Sequence, residues 1–463
     1  MQKLYHQKLN SFLVILFLTG SQLLHAQKTF SAEQCVQYAF EHNPLLHASS
    51  TDTAISDLDI KRVSGLYLPR VNFGAAVQYY ITKRNLLVEG GTTLAPSTVA
   101  PGEPYAIPVG YNNSWFPTLS VNQLIFDPSY RNSYNIASQN RVLQQQEIAD
   151  FKINLVTGIY KAYSACRLLE VQAKFLVENI RRIDTLIDLT RIKFKEGAGI
   201  KIEVNRVEVT GNRMRSALAN VRNSFAGAML GLQFQMNYLE KDSMILSDAF
   251  SIPEIVIATD PIMQELLLGD PAKRIESQML KTQIALADES IKLERARKQV
   301  SIGADGQLGF TPAANSIDKI FQGERWRPYS YIGVNLFVPI FNGSDVNRAV
   351  EQKKLQASQV RNYYDQFTNQ FENEKQTVFY QIKNAKEKFL YAETNLKLAE
   401  NNIYLLQEAF INGVADNQDL ILGENDLYEN QARYYDELLQ LLLSQVEGRH
   451  VTGSYNKIAG LSN

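Results

Sequence analysis

Apolar residues along two long stretches of this chain step by alternating fours and threes. The first stripe is Ala162, Cys166, Leu169, Ala173, Leu176, Ile180, Ile183 and Ile187; the second, roughly 216 positions later, is Val378, Ile382, Ala385, Phe389, Ala392, Leu396, Ala399 and Ile403. Strict alternation averages about 3.5 residues per turn, which keeps one seam of a helix facing a partner over a long distance. The stripes end alike, at Phe194-Lys195-Glu196-Gly197 and at Phe410-Ile411-Asn412-Gly413. The pattern predicts one long-helix unit written twice.

Around each unit the period changes. Ser31-Ala32-Glu33-Gln34 starts a helix that Asn43-Pro44 interrupts and Pro69 closes. Alternation of period two then predicts strands over 71–82 and 115–126, separated by a loop at 83–114 rich in Gly, Pro, Ser and Thr. On the second of these, Leu119, Val121 and Ile125 are expected on one face and Ser120 and Asn122 on the other. Asp127-Pro128 opens the first long helix, running to Lys195, and a return helix runs from Lys201 to Tyr238. Residues 241–260 read as a connector with a short β-like run, Ile255-Val256-Ile257. The second copy repeats the order: a helix over 271–298, strands at 300–310 and 329–341, a helix to Phe410 and a return over 418–447. The expected organisation is a signal peptide at 1–26, a first repeat at 27–240, the connector, a second repeat at 261–448 and a tail at 449–463.

The strands span about 10–13 residues, enough for a tilted strand to cross a bilayer, which takes about 9–11. Ile332, Val334, Leu336, Val338 and Ile340 form one face of the fourth strand, with Tyr331, Gly333 and Asn335 on the other. On the third, Asp305 and Gln307 oppose Ile302, Ala304 and Leu308. Tyr79, Tyr80, Trp115, Phe116, Trp326, Tyr329 and Tyr331 gather near strand ends, as in an aromatic girdle at a membrane interface. The same alternation also fits a soluble sandwich. In lipid, four strands cannot stand alone, because an open edge leaves backbone groups unpaired. Several chains would have to pool their strands: two chains give eight, three give twelve. A helix of about 65 residues is about 100 Å long at about 1.5 Å per residue, far longer than a membrane is thick.

Composition narrows the function classes. The chain has 463 residues with 47 basic and 48 acidic side chains, a balance that gives no footprint for nucleic acid. Lys3 and Lys8 ahead of the apolar run Phe12–Leu18, with Ala26 at the cut, read as a secretory signal. Cys35 and Cys166 make no disulfide framework and read as structural; Ser31-Ala32-Glu33-Gln34 is a poor lipid-attachment context for Cys35. His42 and His47, five apart, are awkward for two ligands on one helical face. With no Ser-His-Asp arrangement, phosphate-binding glycine loop or metal-ligand cluster, the expectation is a protein that is not an enzyme and uses no cofactor or metal.

The opening segment from Ser31 to Leu45 with its Asn43-Pro44 pair, the junction Leu68-Pro69-Arg70-Val71 and the junction Val338-Pro339-Ile340-Phe341-Asn342-Gly343 together resemble the TolC family of outer-membrane efflux proteins. The resemblance covers nearly the whole mature chain, duplication included. It implies a mainly α fold with a β-barrel contribution: two repeated helix–hairpin–long-helix units, with four strands per chain forming a shared twelve-stranded trimeric barrel on a long α-helical tunnel. It further implies a homotrimer in Gram-negative outer-membrane lipid, docked to an inner-membrane pump through a periplasmic adaptor protein. The implied function is a passive exit duct for tripartite efflux or type I secretion. The competing class is a secreted structural coiled-coil assembly.

The resemblance also directs attention to the two helix–helix turns. Glu203 follows Gly197 by six residues and Asp419 follows Gly413 by six. In the family the second turn narrows the periplasmic mouth and carries an acidic ring, and Asp419 matches one such position. Asp416 and Phe410 flank the same turn and are assigned to the aperture with Glu203. Leu422 stands where a second acid is often found and Ala415 where some members carry a basic gating residue, so a gate of packed helices is expected in place of a salt-bridge network. Three carboxylates around an axis would repel one another or recruit a cation; equally, Glu203 and Asp419 are first-turn acids favoured by the helix dipole. The small residues Gly197, Ala198, Gly199, Gly413, Val414 and Ala415 permit close approach of an adaptor.

Overall fold

A computed structural model describes residues 28–238, 244–247, 252–319 and 326–460. The expected signal peptide and parts of the connector and tail lie outside them. The chain divides into two compact units: the described parts of Met1–Thr53, Leu143–Lys281 and Asn362–Asn463 form one, and Ala54–Val142 with Thr282–Arg361 form the other.

The elements follow the repeat. After the short strand β1 (Thr29–Phe30) come α1 (Ala32–His42) and α2 (Pro44–Ser64), then β2 (Arg70–Tyr79), β3 (Arg84–Glu89), β4 (Pro104–Val109) and β5 (Asn113–Phe126). Next are α3 (Ser129–Lys195), α4 (Lys201–Met236), β6 (Ile245–Leu246), α5 (Ile252–Leu267) and α6 (Ile275–Ala296). The second copy continues with β7 (Ser301–Phe310), β8 (Ala313–Ala314), β9 (Pro328–Phe337), α7 (Asp345–Ile411) and α8 (Asn417–Val451). Both long helices, α3 and α7, have 67 residues.

The first unit is helical and its core follows the heptad stripes. On α7, Val378, Ile382, Ala385, Phe389, Ala392, Ala399 and Ile403 are all buried. On α3 the apolar face is wider, with Val156, Ile159, Tyr163, Cys166, Leu168, Leu176, Ile183, Leu186 and Ile187 buried. Cys35 and Cys166 are unbridged and join one cluster with Val36, Ala39, Val156, Ile159, Leu232 and Met236; burial pushes the Cys166 thiol up to about 11. Ser31 caps α1 through a box with Gln34, the partner residue being Gln34 and not the neighbouring Glu33. Asn43 ends α1 and Pro44 opens α2, as the dipeptide predicts. Helices α5, α7 and α8 meet at Gly448, where a Cβ would lie 2.6 Å from Ile262 and 2.7 Å from Ile382.

Three expectations are corrected. The run Ile255-Val256-Ile257 is helical, inside α5: Gln445 on α8 donates to the Ile255 carbonyl and the Thr259 hydroxyl, each at 2.7 Å, which fixes the helix against its local β preference. The loop at 83–114 contains a hairpin, β3 pairing antiparallel with β4 from Arg84↔Val109 to Glu89↔Pro104; Pro104 and Pro108 are tolerated because this two-stranded ribbon is all edge. The fourth strand ends at Phe337, before Val338-Pro339.

The second unit centres on an antiparallel sheet in the order β2-β5-β7-β9, with β8 added beside β5. Its register aligns apolar rows: Phe73–Leu119–Leu308, Val71–Val121–Gly306–Ile332 and Phe126–Ile302–Leu336. A bulge between Leu124 and Phe126 makes Phe126 the partner of Ile302, so the expected alternation through Ile125 is broken there. The intervening rows are polar: Asn72–Ser120–Gln307–Tyr331 and Arg70–Asn122–Asp305–Gly333. Every residue of β2, and all of β9 except Val334's neighbour Gly333, is exposed. Among the described residues, no strand pairs with the outer edge of β2 or of β9.

Candidate functional site

Two regions stand out: the sheet and the paired helix turns. No helix among the described residues is long and apolar enough to cross a membrane. The sheet, by contrast, presents Val71, Phe73, Val77, Ile332, Val334 and Leu336 outward at 60% exposure or more. Such a contiguous apolar surface marks an interaction with lipid or protein. The other face carries Asn72, Ser120, Asn122, Asp305, Gln307 and Asn335. A sandwich would cover one of these faces with a second layer, whereas β2 and β9 are exposed on both.

Register parity divides the aromatic residues. Tyr79 and Trp115, beside Val77, lie on the apolar face, where Trp115 meets Trp326 edge-to-face at 5.1 Å and Phe310 lies 5.5 Å from Trp326. All sit at the hairpin end of the sheet. Phe116, Tyr329 and Tyr331 pair with Ala76, Gly309 and Gln307 and so turn to the polar face. Tyr329 lies flat over Gly309, where a Cβ would come within 2.6 Å of the ring. Tyr80 follows the end of β2; its amide donates to the Asn112 carbonyl at 2.7 Å.

The helix turns repeat one backbone device. Gly197 and Gly413 adopt φ of 74° and 72°, the left-handed conformation that ends helices at little steric cost only for glycine. The Ala198 amide donates to the Lys193 carbonyl at 2.9 Å and the Val414 amide to the Ala409 carbonyl at 2.8 Å. Gly199 and Ala415 complete the short connections. Asp416 is the N-cap of α8: its carboxylate accepts from the Asp419 amide at 2.9 Å, and the Asp419 carboxylate accepts from the Asp416 amide at 3.0 Å. Asp419 therefore serves as a helix-capping acid. Glu203, in the first turn of α4, accepts from Asn417 Nδ2 at 3.1 Å, and Arg206 donates to Gln418 at 2.9 Å. These bonds place the two turns side by side. Phe410 lies beneath Lys193, whose Nζ is 4.0 Å from the ring centroid. A groove of about 420 Å³ opens between the starts of α4 and α8, lined by Ile202, Arg206, Val209, Gln418, Ile421 and Leu422.

Sequence reasoning missed a polar cluster set deeper in the same bundle. Glu424 on α8 is buried, at 4% exposure, and accepts from Arg182 Nε on α3 at 3.4 Å. Arg182 Nη2 donates to Asn179 Oδ1 at 2.7 Å, and Asn179 Nδ2 donates to Gln431 Oε1 at 2.5 Å. Burial raises the affinity of Glu424 for a proton, and Arg182 opposes it only in part. The signal was present: Leu420, Glu424, Leu427, Gln431, Tyr434, Leu438, Leu441 and Gln445 also step by fours and threes, so polar side chains occupy core positions of a third seam.

Among the described residues no group of His, Cys, Asp and Glu is arranged to hold a metal ion. His42 stacks on Tyr38 and bonds its carbonyl at 2.9 Å, while His47 bonds the Glu41 carbonyl at 2.9 Å; both are local packing residues. His450 lies between Thr157 and Arg274, at 3.2 and 3.5 Å, and burial holds its pKa below the usual histidine value.

Residues 36–237 match the model of the outer membrane efflux protein family. The fold is shared with CusC, at a TM-score of 0.69 and 12% identity over 93% of this chain and 95% of that one. It is shared also with the CmeC outer membrane channel of Campylobacter jejuni, at 0.68 and 15% over 91% and 85%. The open-state MtrE outer membrane channel of Neisseria gonorrhoeae gives 0.66 and 13% over 91% and 88%. No curated protein matches the chain by sequence. The expected family resemblance therefore holds, and the fold is that of the outer-membrane efflux channels.

Proposed function

We propose that three copies of this chain pool their four-stranded sheets into a twelve-stranded barrel in the outer membrane of a Gram-negative cell, with the paired helices forming a periplasmic tunnel. The protein is then the exit duct of a tripartite efflux or type I secretion system, conducting substrate that a pump and adaptor deliver. One observation carries this reading: a sheet with an apolar face, a polar face and two unpaired edges. Lipid tolerates no open edge, and closure with copies of itself satisfies β2 and β9 together. The turns at 196–200 and 412–417, with the groove between α4 and α8, fit the tip of an adaptor.

Fractionation tests the first part. The expected result is a heat-modifiable trimer in the outer membrane; a soluble periplasmic protein or a monomer would sink the reading and favour the secreted coiled-coil assembly. Ala198→Glu and Val414→Glu test the second. Both positions are solvent-facing turn residues, so assembly should persist while transport fails, and unchanged transport would remove the turns from the docking surface.

A further inference from the structure

The four long strands contain only two formally charged side chains, Arg70 on β2 and Asp305 on β7. The register puts both in one row on the polar face, with Asn122 between them. Neighbouring strands lie about 4.8 Å apart, so the Arg70 and Asp305 backbones are about 10 Å apart in the row, close to one screening length. Asp305 is held in place. Its Oδ1 accepts from Asn335 Nδ2 at 2.6 Å, and it leans over Gly333, where a Cβ would lie 3.2 Å from Oδ1. Two β9 residues thus shape a seat for one carboxylate. A charge at membrane depth persists only where it faces water or a partner, and is by default functional.

We infer that Arg70 and Asp305 form a charge-balanced girdle on the inner wall of the barrel, which sets the ion preference of the lumen. The inference rests on the barrel proposed above. Each copy contributes one charge of each sign, so the fields oppose. Removing either one unmasks the other.

The test is single-channel recording of the full-length protein in planar bilayers under a potassium chloride gradient. Asp305→Asn keeps the shape and the acceptor oxygen while removing the negative charge; the potassium-to-chloride permeability ratio should fall severalfold. Arg70→Gln should raise it by a similar factor. Asn122→Cys provides a probe that leaves the Asp305 seat intact, both native cysteines being buried. A sulfonate thiol reagent should then raise the ratio and a trimethylammonium reagent lower it. Opposite shifts support the girdle. Conducting channels whose ratio is unmoved, or moves the same way in both charge variants, overturn it while leaving the duct standing. Wild-type protein that forms no channels overturns the duct and the girdle together.

Discussion

Replacing Arg182 by methionine isolates the energetics of the buried cluster behind the helix turns. The Glu424 side chain is 5% exposed, its Oε2 has no hydrogen-bond partner, and Arg182 is the donor to Oε1. Deleting one member of a fully buried pair destabilises by about 3–5 kcal/mol. Two features lower that figure here: the Arg182 side chain keeps 35% of its surface in water, so solvent screens the pair, and Glu424 can relieve its isolation by taking up a proton. The expected loss is about 2–3 kcal/mol at neutral pH. Its sign with pH follows from linkage. Glu424 is raised above 4.5 in the folded protein, chiefly by burial, so the folded state binds the proton more tightly than the unfolded one. Stability therefore falls as pH rises from 4.5 through the raised pKa, and Arg182→Met extends that window upward. Glu424→Gln removes the titration and should leave the bundle as stable as wild type or more so at neutral pH. Amide hydrogen exchange across 176–190 and 420–431, measured against pH on the purified protein, reads the effect. If Arg182→Met exchanges like wild type at every pH, or Glu424→Gln is as damaging as Arg182→Met, the buried-charge argument is wrong.

Other expectations follow from single contacts. Gly448→Ala forces a methyl into Ile262 and Ile382 and should destabilise by about 1–3 kcal/mol, seen as a lower thermal midpoint. Asp416→Ala removes the cap of α8 and should cost about 0.5–2 kcal/mol, read as faster proteolysis at the second turn. His450 sits below its ordinary value of 6.5, burial being the main cause and Arg274 the next. Its contribution is present above 6.5 and lost as pH falls toward the lowered value, so His450→Asn should flatten the acid side of the stability profile. Phe389→Ala empties a fully buried site and should cost about 3–5 kcal/mol in denaturant titration.

The long helices and four long strands were legible in the sequence because period 3.5 and period 2 are sustained over many residues there. Elements decided by partners were not. The β3–β4 hairpin hid under glycine and proline density, and α5 under a β-branched run that Gln445 and packing against α7 and α8 overrule. At the turns, sequence located Asp419 and Glu203 but could not separate a gate acid from a cap. The hydrogen bonds show Asp419 in the capping box of α8 and Glu203 bonded to Asn417. The place of Glu424 in the seam was legible, but its partner Arg182 on α3 was not. The split of the aromatics between two faces depended on register across strands, which no single segment encodes.

The bare margins of β2 and β9 have a consequence for biogenesis. If the proposed barrel forms, a subunit awaiting its neighbours would display two sticky flanks and a greasy plane to water, so the lone chain would be the species at greatest hazard of clumping. The helical portion has its own interior and can form first, leaving the sheet for last. Closure with sister subunits would then be the committing event, and the yield of finished ducts should rise steeply with subunit supply, while stragglers depend on holdases or are cleared by proteases.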